Sequence, residues 1–151
     1  MDRYAASGTI AAVTPAPGDT ALGVIASTLT RAKIHLFIVN MGSGPAPADY
    51  VMQWLVRRFT ALGTYTAVVP TLLDPGAPVA QLAAGQAYTA EPTYVGEPLF
   101  NIAVHQRSIY QWNAAPQAEL VLPAVANNGI GITPIHGAYV GPATGTFHWC
   151  E

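Results

Sequence analysis

Short apolar runs alternate along the whole chain with breaks rich in Gly, Pro and Asn, a pattern typical of β-strands joined by turns. The clearest strand is AKIHLFIVNM at residues 32–41, where successive side chains alternate between two faces. The predicted strands are residues 4–13, 22–27, 32–41, 51–59, 64–69, 99–104, 108–113, 119–122, 129–139 and 145–151. About eight to ten strands with almost no helix predict a single all-β domain over residues 1–151, a β-sandwich of the jelly-roll kind.

Two turns suggest local strand pairing. Ala61-Leu62-Gly63 separates two strand patterns, so residues 51–59 and 64–69 are predicted to pair as a hairpin. Asn128-Gly129 is the dipeptide that type I′ hairpin turns favour. The stretch from Gln106 to Ile132 therefore reads as three successive strands joined by tight turns, and we expect it to be the folding centre.

Two segments do not fit the strand pattern. Residues 1–20 are weakly patterned and are interrupted by TPAPGD, which indicates an N-terminal arm or edge strand. Residues 70–98 contain prolines 70, 75, 78, 92 and 98, with one helical turn predicted at residues 79–84. Connections of this length are uncommon inside compact domains and are often functional.

The composition excludes several classes of function. Charged residues make up only 9% of the chain, against about 25% in ordinary soluble domains, which favours a surface covered by partners. Arg57-Arg58 is the only basic doublet and the net charge is -2. Binding to nucleic acid through its phosphates is therefore excluded. No apolar run is long enough for a membrane span. Cys150 is the only cysteine and cannot form an internal disulfide.

No residue pattern in the sequence predicts catalysis. His35, His105, His136 and His148 lack the spacings of common metal motifs, so no metal or cofactor is expected. Cys150 shares a predicted strand face with His148, which is a weak signal for a nucleophile. We therefore expect a protein that is not an enzyme, with a jelly-roll enzyme using these histidines as the less favoured alternative.

A second alternative rests on aromatic residues. Tyr110, Trp112 and Trp149 would form a stacking platform for a glycan if they were exposed on one surface. In a sandwich such residues more often belong to the core or to an interface. A receptor- or glycan-binding module therefore remains an alternative at this point.

Several phrases taken together resemble a family of small, low-charge β proteins from tailed bacteriophages, the capsid decoration or cement proteins. The phrases are FTALGT at 59–64, LDP at 73–75, TAEPTY at 89–94, NIAVHQR at 101–107, WNAAP at 112–116, ELVLP at 119–123 and ANNGI at 126–130. The resemblance covers roughly residues 55–141. These are structural phrases, and no catalytic residue is carried over from them.

The resemblance implies a non-enzymatic virion structural protein on the capsid exterior, which binds the major capsid protein and stabilises the icosahedral shell. It further implies a homotrimer with an arm or loop reaching onto the shell. The segments that fit this role are residues 1–19 and the proline-rich residues 70–98. Tyrosine is enriched at binding hot spots, and the expected interface residues are Tyr4, Tyr88, Glu91, Pro92 and Tyr94.

Overall fold

The structure, a computed structural model, describes residues 1–11, 19–41, 49–135 and 139–151. These residues form twelve β-strands. In chain order the strands are β1 (Arg3–Ile10), β2 (Leu22–Ile25), β3 (Lys33–Asn40), β4 (Val51–Ala61), β5 (Thr64–Val68), β6 (Thr71–Leu72), β7 (Ala83–Ala90), β8 (Thr93–His105), β9 (Tyr110–Asn113), β10 (Leu120–Val121), β11 (Gly129–Ile135) and β12 (Ala143–Cys150). Among the described residues no helix is long or apolar enough to cross a membrane.

The strands form two antiparallel sheets that pack face to face. In the first sheet the order is β10-β3-β12-β1-β6, with β9 also paired to β3. In the second sheet the order is β5-β7-β2-β11-β4-β8. The prediction of an all-β sandwich is confirmed.

The pairings are nested. The first strand, β1, pairs with the last, β12, from Arg3 opposite Cys150 to Ile10 opposite Ala143. Inside that pair, β2 pairs with β11, β3 with both β9 and β10, and β4 with β8. The strands β5, β6 and β7 come between β4 and β8 in the chain and extend both sheets on the same side.

Alternating side chains supply the core between the sheets. Along β12 burial alternates strictly, with Phe147 and Trp149 fully buried and His148 between them partly exposed. From the second sheet Trp54, Ile130 and Ile132 are also fully buried. Buried aromatic and aliphatic side chains of this size each contribute roughly 1.5–3 kcal/mol relative to exposure, so the sandwich needs no other cross-link.

The predicted hairpin between residues 51–59 and 64–69 is wrong. β4 pairs with β11 on one side and β8 on the other, whereas β5 pairs with β7. Around Leu55, which is itself buried, β4 is apolar on both faces. A strand of this kind belongs inside a sheet, and its pairing partners lie far away in sequence.

The predicted pairing within Gln106–Ile132 is also wrong. β9 and β10 both pair with β3 in the first sheet, while β11 lies in the second sheet between β2 and β4. Asn128-Gly129 therefore does not close a hairpin. Asn127 has the positive φ of 65° in this turn, and Gly129 already belongs to β11.

The two segments set apart in the sequence lie largely within the sheets. Of the predicted arm, residues 3–10 form β1, and residues 12–18 lie outside the described residues. The proline-rich segment contains β6, β7 and the first part of β8, and no helical turn forms at residues 79–84. β7 was missed because its sequence, AAGQAYTA, is rich in small residues that have low strand propensity.

Gly129 is predicted to be required for packing. A Cβ atom there would collide with the ring of Phe59 and with the carbonyl oxygen of Val24. We expect Gly129→Ala to lower the free energy of unfolding by about 1–3 kcal/mol, measured by urea denaturation. Gly76→Ala is the matched control, because its Cβ would find only a carboxylate oxygen of Asp74, at 3.7 Å. Equal stability of the two variants would contradict this account.

Candidate functional site

Three hydroxyl groups and one carboxylate form a hydrogen-bonded chain that joins β8 to β11 across β4 and includes residues just before β2 and β8. The Thr133 hydroxyl donates to the Tyr94 hydroxyl at 3.2 Å. Tyr94 in turn contacts the Thr20 hydroxyl, which donates to Glu91. The backbone N–H of Thr20 donates to the other carboxylate oxygen at 2.9 Å. Because the Thr20 hydroxyl donates its hydrogen bond to Glu91, the Tyr94 hydroxyl must donate to Thr20. Each donor in the series therefore lies on the side away from the carboxylate.

The fold places this chain on the outer face of the second sheet. Ile130 and Ile132 of β11 face the core, so Gly131 and Thr133 face outward, since strand side chains alternate. Thr133 and Thr20 are nevertheless fully buried. Aromatic side chains that contact glycines of the sheet cover this part of the face.

Four glycines form the floor beneath these rings. Gly85, Gly23 and Gly131 are successive cross-strand partners on β7, β2 and β11, and Gly129 lies two residues from Gly131. A Cβ atom on any of the four would collide with an aromatic side chain above it. The rings over Gly85, Gly23, Gly129 and Gly131 belong respectively to Tyr65, Tyr88, Phe59 and Tyr94.

Arg57 completes the layer. Its guanidinium carbon lies 3.9 Å from the centroid of the Tyr94 ring, a cation–π contact worth about 0.5–2 kcal/mol. Its Nε is buried without a hydrogen-bond partner, as is the Tyr88 hydroxyl. The guanidinium stabilises the ring of Tyr94, and the hydroxyl chain fixes the other end of that side chain.

The electrostatics of Glu91 follow from its position. Burial raises the pKa of its carboxyl group above the usual value, and the hydrogen bonds from Thr20 only partly oppose that shift. Burial likewise raises the pKa of Tyr94. This cluster holds the connection between β7 and β8 against the start of β2, and it has no group arranged as a nucleophile and base.

Three of the five expected interface residues are buried in the protomer. Tyr4 is 1% exposed and stacks on Trp149 with ring centroids 6.0 Å apart. Tyr88 and Pro92 are also buried. All three are covered by neighbours in the same chain, Tyr4 in the core between the sheets and Tyr88 in the aromatic layer on the outer face. Glu91 is exposed as a whole residue, although its carboxylate forms part-buried hydrogen bonds with Thr20, and Tyr94 is partly exposed; both belong to the hydroxyl chain.

The segment between β6 and β7 is tied to the sandwich at several points. The Tyr4 hydroxyl donates to the carbonyl of Pro78 at 3.0 Å. The Glu151 carboxylate accepts from the backbone N–H groups of Gln81 and Leu82 at 2.7 and 3.0 Å, and from the Trp149 indole at 2.9 Å. The segment is therefore a fixed surface of the molecule, not a free loop.

Residues 64–90, here called the β5–β7 side, carry almost no charge of their own, although the Glu151 carboxylate lies against their backbone. Asp74 is its single charged residue. Four large aliphatic side chains lie exposed on it: Val69 at 86%, Leu72 at 37%, Leu73 at 40% and Val79 at 82%. Exposed apolar side chains mark a protein-binding surface where they form a contiguous patch.

Two of the histidines in the described part of the chain lie close to each other. His35 and His148 lie 6.2 Å apart between ring centroids, and the Cys150 sulfur lies 3.4 Å from Nδ1 of His35. Burial lowers the pKa of both histidines and raises that of the Cys150 thiol, which disfavours the thiolate form. His105 lies 3.8 Å from Asp49.

His136 falls outside the described residues. Within the described ranges, no group of three or more His, Cys, Asp or Glu side chains is arranged to hold a metal ion. The predicted shared face of His148 and Cys150 is confirmed, but it is His35 that contacts the thiol.

The platform of three aromatic residues does not form, although Tyr110 and Trp112 are partly exposed. Trp149 is fully buried. Trp112 turns inward and stacks on Phe37 at 5.3 Å between centroids, and Phe100 of β8 lies 5.0 Å from Trp112. Tyr110 packs against the same Phe37 ring at 6.0 Å. These rings close the side of the sandwich between β8 and β9.

The chain matches no family model, no curated protein and no solved structure. The resemblance to capsid decoration proteins therefore remains a prediction from the sequence.

The hydroxyl chain predicts that the hydroxyl oxygen of Tyr94 contributes to the stability of the fold. Tyr94→Phe leaves the buried Thr133 hydroxyl without its acceptor, which we expect to cost about 1–3 kcal/mol of unfolding free energy. Tyr65→Phe removes a hydroxyl from the same aromatic layer and should change stability by less than about 0.5 kcal/mol. Thermal and urea unfolding of both variants measure the difference in stability. Equal losses of stability in the two variants would argue against a stabilising role of the hydroxyl chain.

A pH dependence follows from Glu91. Because its folded-state pKa is raised, the folded protein holds this proton more tightly than the unfolded chain does. That stability is present below the unfolded pKa and is lost as pH rises through the folded pKa. Glu91→Gln should therefore gain stability relative to the native protein as pH rises from acidic to neutral.

The measurement is urea unfolding of both proteins across that pH range. Glu97→Gln, which removes an exposed carboxylate on β8, is the reference variant. The difference in unfolding free energy between Glu91→Gln and the native protein should change with pH. If it stays constant, burial of the carboxylate does not raise its pKa in the folded protein.

Proposed function

We propose that this protein is a non-enzymatic structural protein that works by binding other protein subunits through its β5–β7 side. In its specific form, the proposal is decoration of a bacteriophage capsid exterior, where the protein would bind the major capsid protein and stabilise the shell. The observation that carries it is the fixed, nearly uncharged surface of Val69, Leu72, Leu73 and Val79. The sequence resemblance supplies the choice of a capsid as the partner.

The strand connections support a jelly roll as the finer description of the fold. A jelly roll is two sheets of four strands in which one long hairpin is rolled up, so that outer strands pair with outer and inner with inner. Here β1, β12, β3 and β9 supply one such sheet, and β2, β11, β4 and β8 supply the other. Viral capsid domains and lectins both use this fold, so the fold favours a virion role without establishing one.

In this description β5, β6 and β7 are an insertion between the fourth and fifth strands of the roll. The nested pairs do not need it for closure, yet the chain anchors it through Tyr4 and Glu151. Burying exposed Val or Leu side chains contributes roughly 1.5–3 kcal/mol each. A subunit-binding role gives this addition a physical purpose, because its apolar side chains gain stability only when a partner covers them.

The partner suited to this surface is a folded protein with its own neutral, apolar patch. Asp74 is the single charge among residues 64–90, so the surface has little with which to attract or steer a charged ligand. A decoration protein binds a repeated, preformed shell surface, for which a rigid apolar patch loses little conformational entropy on docking.

The test is co-sedimentation with empty shells assembled from the major capsid protein of the same genome, followed by heating of bare and decorated shells. We expect the protein to bind and to raise the temperature at which shells break. Val79→Asp should weaken binding by at least about tenfold, because it buries a charge at the interface. Val140→Asp is the matched control, since Val140 is 64% exposed on a different loop.

Absence of binding, or equal heat resistance of bare and decorated shells, would refute the capsid role. Equal loss of binding in both aspartate variants would show that the β5–β7 side is not the contact surface. Circular dichroism of the two variants confirms that each remains folded.

A further inference from the structure

The two edges of the second sheet are built differently. β8 ends the sheet on one side and β5 ends it on the other. The β8 edge is interrupted by Gly96, whose φ is +70°, followed directly by the charged Glu97 and by Pro98, which has no N–H. A bulge, a charge and a proline are the usual means by which natural sheets prevent edge-to-edge pairing.

β5 lacks the charge and the proline, and the register shift in its pairing with β7, between Thr64 and Thr66, places the additional residues on β7. The sequence of β5 is TYTAV, without charge, proline or glycine, and three of its five side chains are exposed. Threonine, tyrosine and valine are strong strand formers. Val69 follows directly and is 86% exposed. A neutral edge of this kind is a template for a further strand.

We propose that β5 pairs antiparallel with β5 of a second copy of this chain, which joins the two second sheets into one continuous sheet about a two-fold axis. In a pairing centred on Thr66, Thr64 lies opposite Val68 of the second copy. Val69 then lies opposite Gly63, where no side chain obstructs it. The Gly63 backbone of each copy thus packs against the exposed valine of the other.

The occupant is a second copy because the edge is self-complementary. No charge lies on β5, so the two-fold axis brings no like charges together, whereas directly opposed like charges destabilise paired strands. An isologous contact also closes at two copies, so it does not extend into a fibre. β5 could pair with β8 only past Glu97 and Pro98, which is less favourable.

This pairing uses part of the side that we assign to subunit binding, but it does not depend on a capsid partner. It predicts a dimer, whereas the resemblance to decoration proteins predicts a homotrimer. Solution mass therefore separates the two. A dimer that fails to bind shells would leave the pairing intact and refute the capsid role, and a monomer that binds shells would do the reverse.

The first experiment is light scattering with size-exclusion chromatography on the full chain at high micromolar concentration. We expect twice the 15.8 kDa mass of the chain. Thr66→Lys places two lysines at the axis and should return the mass to that of one chain. Thr93→Lys, the same change at an exposed position on β8, should remain dimeric. Melting temperatures of both variants show that they fold.

The second experiment tests the register. In a Cys150→Ser background, Thr66→Cys should form an interchain disulfide on oxidation, because directly opposed residues in antiparallel strands have Cβ atoms about 4.5–5.5 Å apart. Thr93→Cys should not. A native mass of one or three chains, or a dimer that Thr66→Lys leaves intact and Thr66→Cys fails to cross-link, would overturn the proposal.

Discussion

The pairing of the first strand with the last is the constraint on which the rest of this structure depends. β1 and β12 match residue for residue from Arg3–Cys150 to Ile10–Ala143. Beyond the strands, Asp2 and Glu151 exchange backbone hydrogen bonds at 3.2 and 3.1 Å. Inside the β1–β12 pair, β2 pairs with β11, and β3 pairs with β9 and β10. These nested pairs are divided between two sheets.

Three strands lie outside this frame. The inserted strands β5, β6 and β7 add to sheet edges and leave the nested pairs unchanged. They are secured by contacts with the frame itself, since Glu151 and Tyr4 lie at the ends of β12 and β1. The carboxylate of Glu151 satisfies N–H groups at the start of β7 that would otherwise lack partners. The β5–β7 side is thus as firmly positioned as the core that supports it.

Local patterns in the sequence predict the strands but not their partners. Alternation of the kind seen from Lys33 to Asn40 identifies a strand, and ten of the twelve strands were predicted in this way. The same alternation is equally compatible with a hairpin or with a partner about a hundred residues away. The hairpins inferred from Gly63 and Gly129 failed for this reason, because a turn residue reports local backbone geometry alone.

The hydroxyl chain could not be predicted for a related reason. Thr20, Glu91 and Thr133 meet only because β2, β8 and β11 lie in one sheet. Gly129-Ile130-Gly131 did contain a signal, since small residues on one strand face leave space for a ring from elsewhere. The ring itself, from Tyr94, is identified only by the fold.

The low charge of this protein has different physical consequences on the outer face of the first sheet and on the β5–β7 side. On the outer face of the first sheet, threonines and a serine replace charges and pair across strands, as Ser7 does with Thr146 at 2.8 Å and Thr9 with Thr144 at 3.1 Å. Hydroxyl groups keep that face hydrated without ionisation. The β5–β7 side has exposed aliphatic carbon in the corresponding positions, and solubility does not account for it. Sparse charge by itself therefore does not identify an interface, and the absence of charge points to a partner only where apolar side chains replace it.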